Sequence, residues 1–220
     1  MKENGFIDPL SPLVKTNFDK GCQALSRRNY QAAIQFFTAA LQSSPGNASI
    51  LFNRGLAFYH QGNYQQAIAD YSQAIQIKPD FAKAYNNRGL CFQSLNEYEK
   101  AVADFTRAIE LKPDFAGAYY NRAVAYSSLK NYHRAWEDML KAKAMNYPVN
   151  PILWQSLLKN RFQSQVDFLR QKVESYSVKE GKWPSSLQQL ITEGYLSCLP
   201  ELPPGLQFFY DQKTGKVIIG

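Results

Sequence analysis

The sequence predicts a mainly α-helical protein, a right-handed α-solenoid of antiparallel helix pairs with a small C-terminal α+β appendage that ends in a β-hairpin. The first observation is a 34-residue period, because Asn47–Asp80 and Phe81–Asp114 are identical at 15 of 34 aligned positions. The second is that two helical patterns fill each period. The third is that the repeat stops after Asn150-Pro151. A period of this size predicts a stack in which each unit buries its apolar face against its neighbours.

The second unit shows the helix pair most clearly. Ala48–Gln61 carries apolar residues at helical spacing, Gly62-Asn63 interrupts the pattern, and Tyr64–Ile77 carries a second stripe that ends before Pro79. Asparagine precedes the second helix in three units, as an N-cap does; these residues are Asn29, Asn63 and Asn131.

Four such units predict a solenoid over residues 14–148, after a flexible N-terminal segment of residues 1–13. The expected repeats are approximately residues 14–47, 48–81, 82–115 and 116–149.

Two periodic features predict how the helices pack. A small residue recurs inside the first helix of each unit, where glycine costs about 1 kcal/mol relative to alanine, so we expect another backbone to approach closely. These residues are Gly21, Gly55, Gly89 and Ala123. Arginine also recurs in the first helix, with aspartate 16 residues later, in every unit except the first. This correlation predicts an Arg–Asp pair, within a unit or between units, that fixes helix register. The residues are Arg54 with Asp70, Arg88 with Asp104, and Arg122 with Asp138.

The segment after the repeats changes character. Ile152–Ser177 has amphipathic spacing for one long helix or two shorter ones, which predicts a capping region over residues 149–180. We expect its first half to cover the exposed face of the last repeat.

Residues 181–220 predict a small α+β appendage. Ser186–Thr192 is expected to form a short helix, and the β-rich runs Leu206–Asp211 and Lys216–Ile219 flank a turn, as in a hairpin. An isolated hairpin is marginally stable, so this one is expected to pack on the preceding helices.

Composition and motifs exclude several classes of function. The three cysteines are widely spaced, without a CxxC pair, which argues against a disulfide framework and a zinc site. No glycine-rich phosphate loop, GxSxG or HExxH motif occurs. We therefore predict a protein that is not an enzyme and that has no cofactor and no metal. The lack of a long apolar run and of an apolar N-terminal signal predicts a cytoplasmic location without a membrane span.

The net charge of +7 is uneven along the repeats. Residues 48–115 balance to zero, whereas residues 14–47 and 116–149 each carry +3. A basic surface would favour an acidic partner, or nucleic acid more weakly. The alternative is that the charge only maintains solubility.

The repeat resembles the tetratricopeptide repeat (TPR) family over about residues 14–148. The family's order of small residue, aromatic, Ala, aromatic, Ala and Pro appears twice in full, as Gly55, Phe58, Ala67, Tyr71, Ala74, Pro79 and as Gly89, Phe92, Ala101, Phe105, Ala108, Pro113. The first unit departs from it at Asn17 and Ala24, and the fourth at Ala123, Met139 and Pro148. Terminal repeats are expected to be atypical because they cap the stack.

A second resemblance covers about residues 165–220. The order of helix, Gly-Lys-Trp-Pro, short helix and hairpin is similar to the globular end of type II secretion pseudopilins. It suggests a bacterial origin and a compact appendage rather than a role in a pilus.

The TPR resemblance implies that the first helix of each unit lines a concave groove that binds an extended peptide. The implied peptide-binding residues are Phe18, Phe52, Asn53, Tyr59, Lys83, Asn86, Asn87, Tyr120 and Asn121. Asn53, Asn87 and Asn121 recur one unit apart, and an amide both donates and accepts hydrogen bonds, so such a ladder can grip a peptide backbone of any sequence. A similar ladder lines the O-linked GlcNAc transferase superhelix. Alternatively, these amides satisfy backbone groups between helices.

The same resemblance argues against one known partner. TPR proteins that clamp the acidic tail of heat-shock chaperones need charged and amide residues where this chain has Phe18 and Cys22, or Phe52 and Leu56. We therefore predict no chaperone-tail carboxylate clamp.

The expected function is that of a scaffold or assembly factor that binds another protein in the groove. The alternatives are a structural subunit that docks through the C-terminal appendage and, less favoured, an RNA-binding helical repeat, for which no base-reading pattern is visible.

Overall fold

The computed structural model describes residues 11–202 and 204–220 of the chain. Eight helices form four antiparallel pairs, each made of a helix A and a helix B. The A helices are α1 (Pro12–Ser26), α3 (Ala48–His60), α5 (Ala82–Ser94) and α7 (Ala116–Ser128). The B helices are α2 (Tyr30–Ser43), α4 (Tyr64–Ile77), α6 (Tyr98–Leu111) and α8 (Tyr132–Ala144). The C-terminal elements are α9 (Pro151–Glu180), α10 (Leu187–Thr192), β1 (Phe208–Asp211) and β2 (Lys216–Ile219).

The predicted α-solenoid with a C-terminal two-stranded hairpin is confirmed. The element bounds differ from the sequence prediction by a residue or two. Helix α3 ends at His60, α10 begins after its N-cap Ser186, and β1 begins at Phe208. Residues 152–177 lie in one continuous helix rather than two. None of the described helices combines the length and the apolar character that a bilayer crossing requires.

The predicted N-terminal flexible segment falls mostly outside the described residues, since these begin at Ser11. Helix α1 starts at Pro12, two residues before the expected first repeat, and the Ser11 side chain accepts a hydrogen bond from the Val14 amide at 3.4 Å. Proline fits the first turn of a helix, where its missing N–H would have no helical partner. Pro12 and Leu13, which were predicted to belong to the flexible segment, are therefore part of helix α1.

All three predicted asparagines occupy the N-cap position, and two of them make a side-chain capping bond. Asn29 accepts from the Ala32 amide at 3.1 Å and Asn131 from the Arg134 amide at 3.3 Å. Asn63 makes no side-chain capping bond, and its amide nitrogen donates instead to the Gln61 side chain at 2.7 Å.

The small residues of the A helices make room for an aromatic ring. In unit three, a Cβ built on Gly89 would lie 2.7 Å from the Phe105 ring, which belongs to the B helix of the same unit. Gly21 and Gly55 face Phe37 and Tyr71 in the same way. The prediction of a close backbone approach is therefore wrong, because a side chain occupies the space. In unit four both positions differ, because Ala123 stands in place of the glycine and Met139 in place of the aromatic residue. These two residues pack in one apolar cluster.

The Arg–Asp pairs form within each unit, and each also ties that unit to the preceding one. The Arg88 guanidinium donates to both oxygens of Asp104 at 2.7 and 2.8 Å, and its third nitrogen donates to the Ser72 hydroxyl of unit two at 3.0 Å. Arg54 bonds Asp70 and Thr38, and Arg122 bonds Asp138 and Thr106, in the same arrangement. The three carboxylates are buried, so these contacts fix the register between units.

Helix α9 belongs to two apolar clusters. Its first half packs on the last repeat through Leu157, Leu158 and Phe162, together with Trp136 of α8, as predicted. Its second half forms the core of the appendage with α10 and the hairpin, where Val217 is fully buried. The appendage cluster starts at Val166 on α9, and the proposed domain boundary at residue 181 stays a prediction.

Candidate peptide-binding surface

The A helices lie on the inner side of the stack. Successive A helices contact one another, α1 with α3, α3 with α5 and α5 with α7, whereas successive B helices make weaker contacts at most within the described residues. Helices α2, α4 and α6 instead pack between the A helix of their own unit and that of the next, and α8 packs between α7 and α9. A stack whose A helices lie closer together curves toward them, so they line its concave face.

Three asparagines of units three and four form a connected amide cluster on this face. Asn86 is 6% exposed; its amide nitrogen donates to the Asn87 oxygen at 3.1 Å, and its oxygen accepts from the Asn121 nitrogen at 3.0 Å. Asn87 and Asn121 are half-buried. Among the described residues, the Asn121 amide oxygen has no hydrogen-bond partner, and the Asn87 amide nitrogen carries two N–H groups, of which one is directed at the Tyr71 hydroxyl. The cluster therefore offers a donor and an acceptor to a ligand.

The structure does not bring Asn53 into this cluster. Its amide nitrogen donates to the Ser49 carbonyl of its own helix at 2.8 Å. The predicted ladder of Asn53, Asn87 and Asn121 is thus not continuous, because Asn86 joins only the last two. The alternative, in which the amides satisfy backbone groups between helices, is not observed either. The Asn53 amide bonds a carbonyl of its own helix, and the other amides bond one another.

Each aromatic residue that was predicted to contact a peptide has one part of its ring in the core and another part on the concave face. Phe18, Phe52, Tyr59 and Tyr120 are all half-buried. The Phe52 ring packs 4.9 Å from that of Phe81, and the Tyr120 ring 5.2 Å from that of Tyr147. Such support holds each ring in one orientation, which lowers the entropy that a ligand contact would cost. Lys83 is exposed, and it gives this part of the face a positive charge.

The groups beneath the face stay neutral at physiological pH. Burial raises the pKa of the Cys91 thiol to about 12. Burial likewise raises the pKa of Tyr71, an effect that the neighbouring Asn87 amide partly offsets. The Cys91 thiol and the Tyr71 hydroxyl therefore add no charge of their own beneath the face.

Two features of the site were missed or assigned a different role from sequence. Asn86 was predicted to contact a peptide, yet it is buried and its hydrogen-bonding groups hold the cluster together. The signal was present, because Asn86 occupies the position at which the neighbouring units have Phe52 and Tyr120. The hydroxyls of Thr38, Ser72 and Thr106 were not singled out, although they also recur every 34 residues.

Known protein families match the repeats of this chain. Three family profiles match, one described as TPR repeat over residues 55–95 and two as tetratricopeptide repeat over residues 82–115 and 105–137. No curated protein is significantly similar to the chain in sequence.

The solved structures match a larger part of the chain than the family profiles do. MamA is 25% identical with a TM-score of 0.59, and the match covers 63% of this chain and 80% of MamA. The TPR domain of Arabidopsis OM64 is 30% identical with a TM-score of 0.51, covering 52% of this chain and 94% of that domain. The first TPR of Spaghetti (RPAP3), solved with the HSP90 peptide SRMEEVD, is 24% identical with a TM-score of 0.53, covering 54% and 94%. The last match shows the fold alone.

The fold and the profiles together define a helical-repeat protein with an inner face built from A helices. Residues 55–137 of this chain are tetratricopeptide repeats. The pseudopilin resemblance of residues 165–220 stays a prediction.

Proposed function

We propose that the concave face binds an extended segment of another protein and that the chain acts as a scaffold or assembly factor. Proteins of this fold mediate protein–protein interaction and peptide binding. The observation that carries the proposal is the amide cluster, in which buried Asn86 fixes Asn87 and Asn121 and leaves one donor and one acceptor unused. An extended peptide presents a carbonyl and an N–H from its backbone to match them.

The flanking aromatic rings would supply the apolar part of the contact. Phe52 and Tyr120 stand one unit to either side of Asn86 in the repeat, and each keeps part of its ring exposed. Aromatic anchors supply much of the energy at such interfaces. The proposed ligand is therefore an extended peptide whose backbone bonds the amide cluster of units three and four. Its apolar side chains on either side of that point contact Phe52 and Tyr120.

The ligand we propose is not an acidic chaperone tail. Phe18, Cys22, Phe52 and Leu56 are half-buried and apolar, so they provide no cation for a terminal carboxylate. We further propose that the chain works in the cytoplasm of a bacterium and that it acts without catalysis.

A photo-crosslinking experiment tests the site. A photoreactive phenylalanine analogue replaces Tyr59 on the concave face or, as the control, Ile77, which is 44% exposed on helix B of the same unit. We expect the Tyr59 probe, but not the Ile77 probe, to capture a defined protein from bacterial cytosol, with the crosslink mapped by mass spectrometry to one extended segment. Capture by both positions alike, or by neither, contradicts the proposal.

A second arm removes the unused groups while keeping the fold. Asn87→Asp keeps the acceptor for Asn86 but removes the free donor, so a synthetic peptide of the captured segment should bind about fivefold to tenfold more weakly. Glu99→Gln, an exposed change on helix B of the same unit, is the matched control and should bind normally. Unchanged affinity in Asn87→Asp would show that the amide cluster does not carry the recognition.

A further inference from the structure

Within the part of the chain that the structure describes, one edge of β2 in the C-terminal hairpin has no strand partner. Gln207 and Gly220 exchange two backbone hydrogen bonds at 3.1 and 3.2 Å, and the register then pairs Phe208 with Ile219 and Tyr210 with Val217. Bonded and non-bonded pairs alternate in an antiparallel ladder. The N–H and C=O groups of Val217 and Ile219 therefore point away from β1.

One contact confirms this orientation. The Arg170 guanidinium of α9 donates to the Val217 carbonyl at 3.2 Å, from the side opposite β1. Val217 is fully buried, so the outward groups of β2 that a partner can reach are the N–H and C=O of half-buried Ile219. Exposed edges are usually covered or broken because they pair readily with another strand.

A cleft of about 390 Å³ runs between this edge and a stripe of α9. Leu158, Val166 and Val217 are buried and form its apolar floor, and half-buried Ile219 lines the wall on the β2 side. A groove between a helix and a free strand edge is suited to an extended peptide. The peptide backbone would pair with the strand while alternate side chains enter the groove.

The charged residues that line the cleft are all basic. They are Lys159, Arg170 and Lys216, and no carboxylate lines it with them. Asp167 lies 3.4 Å from the Arg170 guanidinium on the exposed side of α9, so it offsets one of the three charges in part. Charge complementarity therefore favours a negatively charged occupant.

We propose that the free edge of β2 and the facing stripe of α9 form a second protein-binding site, which takes an extended acidic segment of a partner protein as an added β-strand. This site is separate from the concave face of the repeats and does not depend on the function proposed for that face.

A second copy of this chain is a poorer occupant. Pairing β2 with β2 of another copy would bring a second Lys216 toward Lys159 and Lys216, and like charges on adjacent strands destabilise the pairing. The chain as a whole also carries a net charge of +7, which opposes self-association at this edge.

The test uses the full-length chain and two fluorescent seven-residue peptides, one alternating valine with glutamate and the other valine with lysine. We expect the acidic peptide to bind by fluorescence anisotropy and to shift the amide resonances of Val217 and Ile219 in ¹⁵N NMR spectra. The basic peptide should do neither. No shift at these two amides with the acidic peptide, or equal binding of both peptides, overturns the proposal.

Proline substitutions at opposite edges of the hairpin provide a matched pair. Ile219→Pro removes an N–H that faces the cleft, whereas Phe208→Pro removes one from the far edge, and neither group takes part in the β1–β2 ladder. We expect Ile219→Pro to weaken peptide binding about tenfold, through the lost hydrogen bond and the misplaced ring. Phe208→Pro should bind within about twofold of wild type. Equal loss in both variants, with the hairpin resonances retained, contradicts strand addition.

A charge change outside the hairpin keeps the test valid if either proline variant fails to fold. Lys159→Glu changes an exposed residue of α9 and should weaken binding of the acidic peptide about fivefold, with less effect at high salt. Unchanged binding in this variant contradicts an acidic occupant. Dimerisation in analytical ultracentrifugation that Lys159→Glu strengthens and added acidic peptide does not reverse would assign the edge to a second copy instead. Asn87→Asp should leave all of these results unchanged, which separates this site from the concave face.

Discussion

In units one to three, a glycine of helix A faces an aromatic ring of helix B, and we predict that the two positions are strongly coupled in energy. Unit four has Ala123 and Met139 at these positions. A Cβ on Gly89 would lie 2.7 Å from one atom of the Phe105 ring, with the next two atoms at 2.9 and 3.1 Å. Carbon atoms prefer about 3.5–4.0 Å, so the ring would have to move by about 1 Å. Phe105 is fully buried, so the ring cannot move out into solvent.

We expect Gly89→Ala to destabilise the fold by about 1 kcal/mol. Overpacking costs roughly 2 kcal/mol, and the gain in helix propensity returns about 1 kcal/mol. Phe105→Met alone should cost about 1.5 kcal/mol, because it leaves space opposite a glycine. The double variant copies the pair Ala123 and Met139 and should cost only about 0.5 kcal/mol. The coupling energy is then about 2 kcal/mol, within the range found for residues in contact.

Urea unfolding followed by far-ultraviolet circular dichroism measures the complete cycle. Equal m-values in the four proteins establish that the same transition is compared. A stabilising Gly89→Ala would show that helix propensity dominates and that the ring moves freely. A coupling energy near zero would show that the two positions do not share the space, and either result refutes the reasoning.

The remaining predictions concern the ties between repeats and the thiols. Arg88→Ala should destabilise the chain by about 3 kcal/mol, because it leaves the buried carboxylate of Asp104 without its partner; Ser72→Ala should cost about 1 kcal/mol, since it removes only the hydroxyl that joins two units. Urea unfolding of both variants checks this ranking, and equal losses would contradict it. At pH 8 a thiol reagent should modify exposed Cys198 first and leave Cys91 unmodified until the chain unfolds, because a raised pKa keeps the Cys91 thiol protonated. Mass spectrometry of the digested protein measures the order, and early modification of Cys91 would contradict its burial.

Periodicity made the helical stack predictable. The spacing of apolar residues and the break before Tyr64 placed α4 at its observed bounds, and the joint presence and absence of arginine and aspartate predicted the ion pairs. The apolar spacing lies within one helix and the Arg–Asp correlation recurs in three units, so a single sequence shows each of them several times.

The details of the concave face were less predictable because they depend on distances between side chains of different units. The bond from Asn121 to Asn86 joins residues 35 positions apart, and the repeat pattern instead aligned Asn121 with Asn87. Asn53 shares that repeat position but bonds its own helix. A repeated residue type therefore did not guarantee a repeated hydrogen bond. The packing of the first half of α9 on the last repeat was predicted, but the start of the appendage core at Val166 was not, because the apolar spacing continues unchanged from Leu153 to Tyr176.

Helix α9 has a mechanical consequence. Thirty residues of continuous helix extend about 45 Å, and buried side chains anchor one half in the last repeat and the other half in the appendage. Helix α9 is thus a rigid connection between the repeats and the appendage, since a hinge within it would require breaking its backbone hydrogen bonds. Two partners, one on the concave face and one at the edge of β2, would be held at a set spacing and orientation, and a pull on either would be transmitted to the other.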